Sequence, residues 1–187
     1  MSEKKTFPGT VVPDDGTENG TFAALRPMIK AASGLTLSQV CAITGLETST
    51  IQNWVKRGFV AHPEAKKYGE RHLARIMMIS MMRDAMQIDD VGELMRLING
   101  DATDESDDLI PEIELYDLFC AVVRRSSPAA SEKELAKIIG EELSKTSTAA
   151  VAKKRLTAAV CIMADAYFAG VLARKAKAAL TALADGK

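Results

Sequence analysis

The stretch "LTLSQVCAITGLETSTIQNWVKRGFV", residues 35–60, decides how this chain is read. Two short apolar-patterned runs lie either side of Gly45. Thr36-Leu37-Ser38-Gln39 fits a capping box, in which the Thr36 hydroxyl and the Gln39 side chain satisfy each other's free backbone amides. Leu35 before the cap and Val40 inside it are spaced as a hydrophobic staple. The first helix therefore runs from Thr36 to about Thr44, where Gly45 stops it. A second starts near Thr48 and continues to about Arg57, closed by Gly58.

Two helices joined so tightly form a helix-turn-helix if a small residue lies at their crossing and glycine at the turn. Cys41 and Gly45 meet those demands. Ile51 and Trp54, at i and i+3, then pack the second helix on the first. Ser49, Thr50, Gln52, Asn53 and Lys56 mostly point away from the core. A merely solvated helix has no need of so many uncharged hydrogen-bonding side chains. Gln and Asn can grip adenine in bidentate fashion, and Ser and Thr can bond phosphates or base edges. The positive start of the helix suits phosphate, and Lys56 and Arg57 bracket its far end.

Outward from that stretch, the rest of the chain also reads as helical. Residues 1–20 are polar and aperiodic, expected as a disordered tail. Residues 22–33 can form a short helix, with Pro27 best placed in its first turn or at a break. "AHPEAKKY" is a loop or short wing, followed by a helix from about Glu70 to Met86. Asp89 and Asp90 are placed to cap the next, which Asn99-Gly100 ends. "DATDESDD" reads as an acidic linker between two parts. Three further helical patterns follow at 112–125, 131–144 and 149–184, the second opened by a Ser131/Glu134 capping box. The last is apolar nearly all round between Leu156 and Leu172, so it must be surrounded by its own domain or by a partner subunit.

Charge is segregated beneath a net value of −1. Residues 51–83 hold seven Lys/Arg against two Glu, a balance of +5. Residues 84–117 hold twelve Asp/Glu against Arg96, a balance of −11, and from 118 onward the balance is +6. A basic block beside a helix-turn-helix pattern says more about nucleic acid than a basic total would.

These residues resemble the MerR-type winged-helix regulators. Thr50-Ile51 matches that family's Thr-Ile, Trp54 its second aromatic, and Arg57-Gly58-Phe59 its Arg-Gly-Leu. Tyr68 resembles the tyrosine that closes the wing, and Ile88-Asp89-Asp90-Val91 the start of the following helix. The likeness covers roughly 35–99. Gln52 and Asn53 depart from the family's Arg and Tyr, and the loop from Val60 to Tyr68 lacks its Gly-Tyr-Arg tip, with Lys66 and Lys67 as substitute phosphate contacts. The whole chain also resembles the bacterial family known as domain of unknown function 1836, which couples such a helix pair to further helices. Both resemblances imply DNA binding and no particular effector.

Other chemistries find little footing. Cys41, Cys120 and Cys161 are far apart and lack neighbouring Cys or His at ligand spacing, so neither a disulfide framework nor a metal site is expected. "DATDESDDLIPE" resembles a calcium loop but has Ser106 where the turn glycine belongs and Leu109 at the ninth position. Six methionines between Met77 and Met95 suit core filling better than a partner surface. No phosphate loop, Ser-His-Asp order or paired-carboxylate site points to an enzyme or cofactor. With no run approaching eighteen uninterrupted apolar residues, a cytoplasmic location away from membranes is expected.

The expectation is an all-α protein: a 1–20 tail, a 21–100 winged helix-turn-helix domain, a 101–110 acidic linker and a 111–187 helical domain for dimerisation or an effector. Its expected partner is double-stranded DNA. The expected contacts are Thr48, Ser49, Thr50, Gln52, Asn53, Lys56, Arg57, Lys66, Lys67, Tyr68, Arg71 and His72, with the C-terminal helices pairing two copies. A helical protein-interaction module that no longer touches DNA is the alternative, motivated by the −11 segment.

Overall fold

A computed structural model describes residues 6–14, 20–146 and 150–186. Within them the chain forms eight helices and no strand: α1 (Gly20–Ala31), α2 (Leu37–Thr44), α3 (Thr48–Lys56), α4 (Glu70–Met82), α5 (Ile88–Asn99), α6 (Glu112–Arg125), α7 (Glu132–Leu143) and α8 (Ala150–Ala184). The local signals hold where they are strongest. Thr36 and Ser131 both form reciprocal capping boxes, with Gln39 and Glu134. Gly45 takes φ 70 and returns its N–H to Cys41 O at 2.8 Å. Leu35 and Val40 are both fully buried.

α4 is the hub. Leu73, Ala74, Ile76, Met77, Met78, Ile79, Met81 and Met82 are all buried, because α1, α2, α5, α6 and α8 pack around it. The methionines fill the core, with Met95 buried beside them and Met86 half-buried.

Four expectations are corrected. The tail is packed over 6–14: Phe7 is buried, Val11 N–H donates to Ile43 O at 2.9 Å, and Tyr116 Oη donates to Pro8 O at 2.7 Å. Residues 1–5 and 15–19 lie outside the described residues. Pro27 sits inside α1, in its second half, and not at its start. Ala23 and Pro27 are both exposed, so the carbonyl left without its N–H partner faces water. Asp89 and Asp90 lie in the first turn of α5, whose N-cap is Gln87; they favour the positive helix end without capping it.

The largest correction concerns the division into two parts. Residues 101–110 are a folded loop, with Ala102 and Ile110 buried and Leu109 N–H donating to Ile98 O at 3.2 Å. One hydrophobic cluster runs from Phe22 to Ala166 through α4 and α6. Composition marked the loop as solvated, and Asp101, Asp104, Glu105 and Asp107 are indeed exposed, but the Asp108 side chain is only 7% exposed. Its backbone and two apolar side chains nevertheless belong to the core.

α8 is covered on one side only. Leu156, Ala159, Val160, Met163, Ala164 and Ala166 are buried, whereas Ile162 is 45% and Leu172 50% exposed. From Leu172 to Gly186 every residue is exposed, so the helix overhangs the body. Ala152–Ala184 is long and apolar enough to cross a membrane by length and composition, and 39% of its most apolar window is buried in the fold.

Candidate functional site

α2 and α3 are joined by Gly45, Leu46 and Glu47, and Leu46 is buried beneath the turn. Ile51, Trp54 and Val55 form the inward face of α3. Thr48, Ser49, Gln52, Asn53 and Lys56 are exposed and Thr50 half-exposed, so the opposite face is uncovered by any described part of the chain. The N-cap Glu47 makes no side-chain cap, which leaves the first amides of α3 open to an acceptor from outside. Thr48 Oγ1 lies 3.8 Å from Cys41 Sγ, a contact that ties the start of α3 to α2.

The end of α3 is fixed by aromatic packing. Gly58 takes φ 76, and Phe59 N–H returns to Trp54 O at 2.9 Å. The Phe59 ring lies against Gly92 of α5, where a Cβ would come within 2.3 Å of it, so only glycine fits. Arg57 stacks over that ring, 4.5 Å from its centroid, and pairs with Asp89. Arg75 of α4 donates from Nε to Phe59 O at 2.7 Å and pairs with Glu112 of α6.

Beyond α3 the loop makes a two-residue turn. Lys67 N–H donates to Glu64 O at 2.7 Å, while Ala65 and Lys66 take φ 45 and 63. Both central residues are left-handed, as in the tight turn of a hairpin. Lys66 is exposed at its tip. Lys67 is half-buried, its Nζ 3.4 Å from Ala32 O and 3.5 Å from Gly34 O at the end of α1.

Besides Arg57 and Lys67, three further expected contacts are engaged inside the chain. Tyr68 is only 4% exposed, with its backbone paired to Leu35 and its ring edge-on to His72. It therefore closes the loop from within and is removed from the surface set. His72 accepts from Gly69 N–H at Nδ1 (3.1 Å) and meets His62 O at Nε2 (3.2 Å). With Nδ1 an acceptor, Nε2 carries the proton, so the ring is neutral. Burial lowers its pKa further from the usual histidine value, outweighing the His62 hydrogen bond. Arg71 reaches into the acidic loop, 3.1 Å from Asp104 O and 3.5 Å from both Glu105 and Asp108. Lys56 and Lys66 make no ion pair among the described residues.

Sequence reasoning missed the clamp of Phe59, Gly92 and Arg75, whose partners lie tens of residues apart. It also missed the grip of the acidic loop on Arg71, although the +5 block beside the −11 segment was a visible hint. A cleft of about 750 Å³ opens between the end of α1, the 60–67 turn, the start of α4 and the acidic loop, lined in part by Lys30, Lys67, His72, Arg75 and Glu112.

Residues 33–119 match the family described as Domain of unknown function (DUF1836), a span from the turn before α2 into α6. The chain is similar to "Uncharacterized protein YkrK" of Bacillus subtilis (strain 168), 26% identical over 114 residues. That alignment covers 57% of this chain and 49% of the relative, so the chain spans about half the length of the protein it matches. No solved structure matches.

Proposed function

We propose that the protein is a DNA-binding transcription regulator of MerR-like winged helix-turn-helix type, cytoplasmic and dimeric, in which α3 enters the major groove. The observation that carries this reading is the exposed face of Ser49, Gln52, Asn53 and Lys56, opposite the buried Ile51, Trp54 and Val55. Gln52 and Asn53 would read base edges. Thr48, Ser49, Thr50 and the open start of α3 would take one phosphate, and Lys56 and Lys66 would take flanking ones. Arg57 and Lys67 are close enough to the surface to add to the field but are held by the chain. The dry side of α3 is set by the Phe59 clamp, which makes Phe59 and Arg75 positioning residues. Selection of bound sequences from a random duplex pool tests base reading: an enriched motif that Gln52→Ala alters at one position supports it, and an unenriched pool rules it out.

A second reading is favoured by a separate observation. Asp89 pairs with Arg57, and Glu105 and Asp108 with Arg71, so part of the expected phosphate-binding set is already neutralised by carboxylates. The same exposed face could then serve a protein partner. Absence of binding to any duplex at low salt would favour it.

A further inference from the structure

The cleft between the end of α1, the 60–67 turn, the start of α4 and the acidic loop holds about 750 Å³, the size of a small-molecule site. Its inner wall carries two polar atoms that the fold leaves unanswered. Glu112 Oε1 is taken by Arg75, but Oε2 has no hydrogen-bond partner among the described residues, although the side chain is 0% exposed. Arg71 Nε lies 4.0 Å from that oxygen and has no hydrogen-bond partner either. At that distance the two do not bond each other. A donor and an acceptor left over side by side in the interior are rare in folded proteins, and costly.

Their spacing selects a chemistry. One atom about 2.8 Å from each would satisfy both, accepting from the Arg71 N–H and donating to the Glu112 carboxylate. A carbonyl or carboxylate oxygen only accepts, and an ammonium or amide nitrogen only donates. A hydroxyl oxygen does both. The two atoms are closed to solvent, so a hydroxyl reaches them only where Arg71 gives way. Its hold on the acidic loop suits that, because its contacts to the Glu105 and Asp108 carboxylates are 3.5 Å long.

The outer part of the cleft adds a second requirement. Lys30 and Lys67 both line it, and neither makes an ion pair among the described residues. Lys67 Nζ has only the carbonyls of Ala32 and Gly34, at 3.4 and 3.5 Å. Beside them α4 begins after Gly69, which has no side chain to cap the positive helix end. Of the lining glutamates, Glu70 is held by Arg26, Glu105 by Arg71 and Glu112 by Arg75. That leaves Glu64 against two uncommitted amines, a surplus of positive charge.

We infer that the cleft binds a small polyhydroxylated anion, a sugar phosphate or sugar acid. One hydroxyl sits between Arg71 and Glu112, and the anionic group lies at Lys30 and Lys67. Such a site holds whether or not α3 reads DNA. Arg71 belongs both to the site and to the anchor of the acidic loop, so occupancy changes how firmly the loop is held.

Calorimetric titration of the full chain tests this, with pentose and hexose phosphates, glycerol phosphate and gluconate beside free glucose and inorganic phosphate. At least one hydroxylated anion is expected to bind saturably, and free glucose and inorganic phosphate about tenfold more weakly or worse. A response to phosphates alone, or to gluconate alone, identifies the anion and supports the site in either case. Lys30→Ala with Lys67→Ala is expected to weaken binding by about tenfold or more at an unchanged melting temperature. Arg71→Lys, which keeps the charge and removes Nε, is expected to weaken it as much. Amide exchange in 101–110 should change on saturation while that in 150–186 does not. No binding by any member at millimolar concentration, equal binding of inorganic phosphate, or affinity that survives both variants would each overturn the assignment.

Discussion

Arg75 and Glu112 form an ion pair whose side chains are 5% and 0% exposed, joining the hub helix α4 to the start of α6. Burial pushes the Glu112 carboxyl up from its usual range, and Arg75 pulls it back only in part. A buried charge without its partner is far costlier than a buried pair replaced whole. Glu112→Ala is therefore expected to destabilise the fold by about 3–5 kcal/mol. The double change Glu112→Leu, Arg75→Met should recover at least half of that loss. Urea unfolding of the three proteins checks it, and equal destabilisation by the single and double changes would contradict it.

Asp108 governs a pH effect. Burial raises its pKa to about 6, and Arg71, 3.5 Å away, offsets only part of this. Between the ordinary carboxylate range and about 6, the folded chain holds a proton there that the unfolded chain has released. The stability this contributes is full below pH 4 and is lost as the pH climbs through 6. Asp108→Asn should abolish that decline, read as a melting temperature that no longer falls between pH 4 and 6 relative to the parent.

The N-terminal segment is a structural part of the body. Gly9 has φ 74, and a Cβ there would come within 2.2 Å of Met77 O on the hub helix. Gly9→Ala must displace the segment that buries Phe7 over the core. It is expected to cost about 1–3 kcal/mol and to open residues 6–14 to limited proteolysis. An alanine variant as resistant as the parent would show that the segment contributes nothing.

The turn at Ala65 and Lys66 stores strain in the open. Both residues are left-handed, and neither is glycine. Ala65→Gly is expected to stabilise the fold by about 0.5–1 kcal/mol, the relief of strain exceeding the added freedom of the unfolded chain. Thermal unfolding reads it directly, and a lower melting temperature would mean the turn relaxes otherwise.

What was legible in the sequence was local. Thr36 with Gln39, Ser131 with Glu134, and Gly45 set helix ends through neighbours three or four residues away, so their roles can be read without knowing the fold. The inward turn of Ile51 and Trp54 was legible for the same reason, through helical spacing. Illegible features all depend on distant partners. The tail looked disordered because nothing in "FPGTVV" announces Ile43, Met77 or Tyr116 as its seat. The acidic loop looked like a linker because its fold shows only in the return of Leu109 to Ile98 and in the grip on Arg71, a residue far off in sequence. Tyr68 looked like a surface ring because family likeness gives position and not burial.

Titration of the full chain with random duplex DNA at low and at moderate salt, beside Lys56→Ala, tests the role of the exposed face of α3 most directly. Measurable binding at low salt that weakens steeply at moderate salt is predicted, with a logarithmic slope about one unit shallower for Lys56→Ala. Absence of binding at low salt, or identical slopes for the two proteins, would contradict it.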